Sequence, residues 1–183
     1  MTLLSWARAT ACAAATVVAL VGCASTPQLP GNLPVLSGRL LVKVAAIGDQ
    51  PAQSHNAAFE LSGDEHRGQM RLLGPLGAQV ALAHWDEHGA SLQDSQGGRD
   101  FPDLATMTSE ALGEPIPLGA LMQWLQGRPW AGAPNRPLAS ATPGFVQLGW
   151  SVDLARWADG ALVEATRLDP PGVIVRAKLD RNP

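Results

Sequence analysis

The sequence predicts a mainly β domain in which two short helices separate two blocks of antiparallel strands. Three observations predict it. Apolar and polar residues alternate with period two along most of the chain after residue 37. Polar or glycine-containing turns punctuate that alternation at roughly ten-residue spacing. One internal stretch switches to the periodicity of a helix.

In the first block, Leu40, Val42 and Val44 alternate with Arg39, Leu41 and Lys43. Residues 55–61 and 69–73 read as two more strands across the turn Ser62-Gly63-Asp64-Glu65. A strand over 78–85 follows the turn Pro75-Leu76-Gly77, and another over 90–93 follows Asp86-Glu87-His88-Gly89. Asp103 is placed to cap a helix that runs to about Leu112 and stops at Gly113. Pro117 opens a second helix over 118–126, with Leu118, Leu121, Met122 and Leu125 at i, i+3, i+4 and i+7. Gly127 and Pro129 end it. In the second block Val146, Leu148, Trp150, Val152 and Leu154 read as one face of a single strand. Asp159-Gly160 reads as a hairpin turn into a strand over 161–168, and Val173, Val175, Ala177 and Leu179 alternate along the last one. Such an order makes a sandwich or barrel, with the helices free to pack across its open side.

Composition narrows the function. Of 183 residues 46% are apolar and 16% charged, which suits a packed domain and not a disordered chain. A formal charge of −3 supplies no basic face for nucleic acid, and 5% aromatics make no stacking platform for it. The four histidines, His55, His66, His84 and His88, have no metal-ligand spacing. Neither a nucleophile elbow nor a phosphate-cradling loop is present, and the carboxylates Asp64, Glu65, Asp86 and Glu87 fall in turns. The sequence therefore points to no catalytic residue, no cofactor and no metal.

The N-terminus carries its own signal. Residues 9–22 form an apolar run of 14 behind Arg8, too short to span a bilayer and the length of a signal-peptide core. The run ends in Leu20-Val21-Gly22-Cys23, which resembles a bacterial lipobox. On that reading 1–22 is a lipoprotein signal peptide and Cys23 is acylated as the new N-terminus. Residues 23–36, with Pro27, Pro30 and Pro34, form an extended tether, and 37–183 is the domain. Cys12 leaves with the signal, so no disulfide is available to the domain. Losing Arg8 takes the formal charge to −4. Ala24 and Ser25 after the cysteine are the residues that imply sorting to the outer membrane, lipid-anchored and facing the periplasm.

Three ordered segments carry a further resemblance. Gly38-Arg39-Leu40-Leu41-Val42, then Met70-Arg71-Leu72-Leu73-Gly74-Pro75-Leu76-Gly77, then Pro115-Ile116-Pro117-Leu118 through Trp124-Leu125-Gln126-Gly127-Arg128-Pro129, resemble the LolB family of outer-membrane lipoprotein acceptors. The resemblance implies a half-open antiparallel β-barrel that encloses an apolar cavity under a helical lid. It implies a protein that takes lipoproteins from the periplasmic carrier LolA by their acyl chains and passes them to the outer membrane. With no nucleotide site in the sequence the expected mechanism is passive, without nucleotide hydrolysis, and the expected state is a monomer. Leu40, Val42, Leu118, Leu121, Met122, Trp124, Leu125, Val146, Leu148 and Trp150 are the expected cavity and lid residues. Pattern alone also fits a solid core beneath the second helix, in which case the protein is a structural outer-membrane lipoprotein. Leu76 sits at a turn tip, either folded back on the barrel or exposed; the resemblance implies a protruding side chain that helps insert cargo into the membrane.

Overall fold

The computed structural model describes residues 35–139 and 141–180. Cys23, the signal segment and most of the tether lie outside the described residues. The first strand, β1 (Val35–Val44), begins two residues before the expected domain boundary, because Val35 and Leu36 already pair with Ser62 and Leu61.

The described residues form one antiparallel sheet of eleven strands. In chain order they are β1, β2 (Gln53–Gly63), β3 (Gly68–Leu73), β4 (Gln79–Asp86), β5 (Gly89–Asp94), β6 (Gly97–Phe101), β7 (Asn135–Pro137), β8 (Gly144–Gln147), β9 (Trp150–Asp153), β10 (Leu162–Arg167) and β11 (Val173–Leu179). The spatial order is β6-β5-β4-β3-β2-β1-β11-β10-β9-β8-β7, so β1 and β11 meet at the centre and the chain's two blocks form the two halves. The sheet curls but does not close; β6 and β7 are its edges. Helices α1 (Leu104–Leu112) and α2 (Leu118–Trp124) stand between β6 and β7 in the chain and cover the concave side. This is the half-open barrel with a helical cover that the resemblance implies.

Alternation fills the interior. Val42 and Val44 of β1, Phe59 and Leu61 of β2, Val163 and Ala165 of β10 and Val173, Val175 and Ala177 of β11 are all buried, and the residues between them face water. Pairing fixes the ends. Strands β1, β3, β5, β8 and β10 run one way and the rest the other, so five connections gather at one end of the sheet. We call it the distal end, because Val35 enters and Leu179 leaves at the opposite, terminal end.

Two expectations are corrected here. The segment 146–154 is not one strand. Gln147 pairs with Trp150, and Leu148 and Gly149 make the two-residue turn between them with φ of 53° and 78°. Positive φ at both central positions is the hairpin geometry that matches strand twist. Cross-strand partners share a face, so the turn shifts the inward set to Phe145 and Gln147 before it and Trp150 and Val152 after it. Val146 is therefore only half-buried and Leu148 is exposed. Likewise Asp159-Gly160 is no tight hairpin: residues Trp157–Gly160 form a helical turn, α3, closed by Ala161 at φ 50°. Two further strands, β6 and β7, have no clear period in the sequence. Their glycines and proline are poor strand formers, tolerated because both strands sit at the edges.

Candidate functional site

An apolar cavity of about 100 Å³ lies between the concave face of β1–β5 and the two helices. Leu40 and Val42 of β1, Met70 and Leu72 of β3 and Leu92 of β5 form its floor. Met107, Ala111 and Leu112 of α1 and Leu118 and Leu121 of α2 form its roof. The expected residues Leu40, Val42, Leu118 and Leu121 are thus brought together. Met122, Trp124, Leu125 and Trp150 are buried in the solid core that adjoins the cavity, and Val146 and Leu148 do not line it.

One wall is interrupted. β2 pairs with β3 only from Ala58 to Gly63, leaving residues 53–57 without a neighbour on that side. Three of those residues, His55, Asn56 and Ala57, line the cavity, and the first two are exposed. The opening therefore lies where β3 has turned away into Gly74 and the helical turn Pro75–Gly77, toward the distal end. Leu76 is at the tip of that turn, fully exposed, with its backbone in the left-handed region at φ 65°. A leucine held there costs energy that an asparagine or glycine would not.

The roof is held by polar contacts. The Asp103 carboxylate accepts from the Thr106 N–H at 2.7 Å and caps α1, and Gly113 at φ 81° ends it. The Thr106 N–H holds the Asp103 carboxyl below the usual carboxylate range. Thr108 Oγ1 accepts from the Ile116 N–H at 2.9 Å and links α1 to the chain entering α2. From that linker Glu114 reaches Arg167 of β10 at 2.5 Å, and the Arg167 guanidinium also lies 5.6 Å above the Trp150 ring. At the other side Arg99 of β6 pairs with Asp94 at 2.6 Å and with Glu110 of α1 at 2.8 Å.

The residue that anchors α2 is one that sequence reasoning misses. Gln147 is 1% exposed, and its amide makes four hydrogen bonds. Its Oε1 accepts from Trp124 Nε1 at 2.8 Å and from the Trp130 N–H at 2.9 Å. Its Nε2 donates to the carbonyls of Trp130 and Ala133, each at 2.7 Å. A buried amide satisfied in this way fixes one arrangement of its neighbours. The signal in the chain is faint: a polar residue between two apolar ones in a strand reads as the wet face.

A second hollow, of about 450 Å³, lies on the outer face of the sheet. Arg39, Arg156, Arg176, Lys178, Asp153 and Glu164 surround it, so it is wet and charged despite its size. Among the described residues no three His, Cys, Asp or Glu side chains are grouped to hold a metal ion, and no helix is long and apolar enough to cross a membrane.

Fold and cavity together define a class: an open antiparallel β-barrel with an apolar interior, roofed by helices. Comparison with known proteins agrees. The family model described as outer membrane lipoprotein LolB matches residues 35–176. A protein of Bordetella petrii named outer-membrane lipoprotein LolB is 33% identical over 159 residues, covering 80% of this chain and 78% of its own. Its namesake in Thiobacillus denitrificans is 30% identical over 179 residues, covering 88% and 90%. That of Cupriavidus necator is 32% identical over 105 residues, covering 55% and 53%. The chain belongs to the LolB family.

Proposed function

We propose that this protein is an outer-membrane lipoprotein that accepts other lipoproteins from the periplasmic carrier LolA and passes them to the membrane. The observation that carries the reading is the apolar cavity under α1 and α2, with the exposed residues His55 and Asn56 in its wall. Cys23 is the acylated anchor, so the domain faces the periplasm from the inner leaflet, as a monomer. Cargo is held by its acyl chains and by nothing covalent, and the protein works as a binding protein without hydrolysing nucleotide.

The cavity dimensions shape the mechanism. Pockets that enclose a small ligand measure roughly 300–1,000 Å³. At about 100 Å³ the cavity accepts part of a chain at most, so the roof moves as cargo enters. Each buried CH₂ contributes about 0.8 kcal/mol, so complete enclosure of several chains would leave no route out. A half-open site holds cargo more tightly than the carrier and less tightly than a bilayer, and the direction of transfer follows from that order. A solid-core structural lipoprotein has no use for such a cavity.

Two measurements test the reading. The full chain should take up a fluorescent fatty-acyl probe saturably, with competition by lipoprotein; absence of saturable uptake supports the structural alternative. Leu76→Glu should still accept lipoprotein from LolA yet deliver it poorly to liposomes, since one buried leucine contributes roughly 1.5–3 kcal/mol to a transient membrane contact. Equal delivery by variant and wild type shows that Leu76 plays no part in insertion.

A further inference from the structure

The two ends of the sheet differ in chemistry. Six large apolar side chains are exposed among the described residues: Val35, Ile47, Leu76, Val80, Leu148 and Leu168. Val35 stands where the chain enters at the terminal end. The other five are all at the distal end: Ile47 from the β1–β2 connection, Leu76 from β3–β4, Val80 from the first residues of β4, Leu148 from β8–β9 and Leu168 from β10–β11. The terminal-end turns between β2 and β3 and between β4 and β5 carry instead Asp64-Glu65-His66-Arg67 and Glu87-His88.

Chance exposure does not concentrate this way, and local folding does not ask for it. Leu76 and Leu148 both hold left-handed backbone conformations, at φ 65° and 53°, that strain a leucine. At Leu148-Gly149 an asparagine would suit the turn better. Leu168 is 83% exposed and precedes Asp169-Pro170-Pro171, so it contributes nothing to the core.

We infer that the whole distal end is the membrane-contacting surface, with Ile47, Leu148 and Leu168 entering the bilayer surface alongside Leu76. The inference rests on the proposed function and extends it from one leucine to an oriented face. The occupant is a zwitterionic phospholipid surface. The five distal connections contain the carboxylates Asp49 and Asp169 and no Lys or Arg, so attraction to anionic headgroups is not the means. Anchoring allows the pose. Residues 23–34 reach at most about 40 Å when extended, and the ten-residue β1 is roughly 33 Å long. A tether that joins the terminal end can therefore run back past the sheet and leave the distal end on the membrane. The cavity opening, beside residues 53–57, then faces the same surface.

The test uses the full chain reconstituted in phosphatidylcholine vesicles, with a photo-crosslinking side chain at position 47, 148 or 168, or at 87 or 159 as terminal-end controls. Irradiation should give lipid adducts from the three distal positions at least fivefold above the controls. A second variant separates contact from folding. Leu148→Asn should leave the melting temperature unchanged or higher. It should lower the lipid adduct from position 168 by at least threefold, against the roughly tenfold that loss of a fully buried leucine implies. Equal yields at both ends, adducts between protein chains instead of with lipid, or no effect of Leu148→Asn on the adduct from 168 would each overturn the inference. Saturable acyl-probe uptake in the same preparation shows that the proposed function survives such a failure.

Discussion

Helices α1 and α2 line one cavity and are held by different means. α2 buries five of its seven residues: Leu118, Ala120, Leu121, Met122 and Trp124. Its Trp124 is 1% exposed, stands edge-on to Phe145 at 6.5 Å, lies 6.0 Å from Trp150 and donates to the buried Gln147 amide. α1 is longer and buries only Met107 and Thr108. Its Leu104, Ala111 and Leu112 are half-buried against the core, and its polar ties sit at its margins: the Asp103 cap, the Arg99–Glu110 pair and, beyond its end, the Glu114–Arg167 pair. The difference teaches which part of the roof is fixed. Packing and a satisfied buried amide make α2 part of the core, whereas α1 borders free volume and is the less firmly held of the two.

The largest expected effect falls on the fixed helix. Trp124→Ala should lower unfolding stability by about 3–5 kcal/mol, as truncation of a core aromatic does, and denaturant titration measures it. A small loss together with a large change in acyl-probe affinity would break the comparison and make α2 the mobile element. Met107→Ala on α1 should cost less, about 2 kcal/mol at the low end for a buried methionine, because its site already borders free volume. It should also change probe affinity, since Met107 lines the cavity. An unchanged affinity would show that probes bind elsewhere.

The smallest effect sharpens the picture through pH. The Asp103 carboxyl is held below its usual range chiefly by the Thr106 N–H. A carboxylate whose folded value is depressed stabilises the fold above its unfolded value, and that contribution fades as pH falls through the folded one. Hydrogen exchange should therefore find the first turn of α1 opening in acid before α2 does. Asp103→Asn, which keeps a capping oxygen without the charge, should abolish that acid dependence.

Some of the site is legible in the residues and some is not. Leu40 and Val42 are readable because strand alternation puts them inward, and Leu118 and Leu121 because helical spacing aligns them. Trp124 reads as a candidate for the roof, yet tertiary packing makes it core: Phe145, Gln147 and Trp150 surround it from the far half of the sheet. Gln147 is unreadable, since its three partner residues, Trp124, Trp130 and Ala133, lie outside its own hairpin.

By itself the sequence determined the strand-helix-strand order, the caps of α1 and the turn at Leu76. These are local matters of period, turn chemistry and spacing, which a short window contains. The tertiary structure alone decided that β1 meets β11, that β2 outruns β3 to leave an opening, and that a turn at Leu148-Gly149 reverses the inward face from β8 to β9. Each is a choice of partner between segments that no short window spans together. The alternation Val146, Leu148, Trp150 is equally regular whether the chain continues or turns back, and only the pairing of Gln147 with Trp150 distinguishes the two.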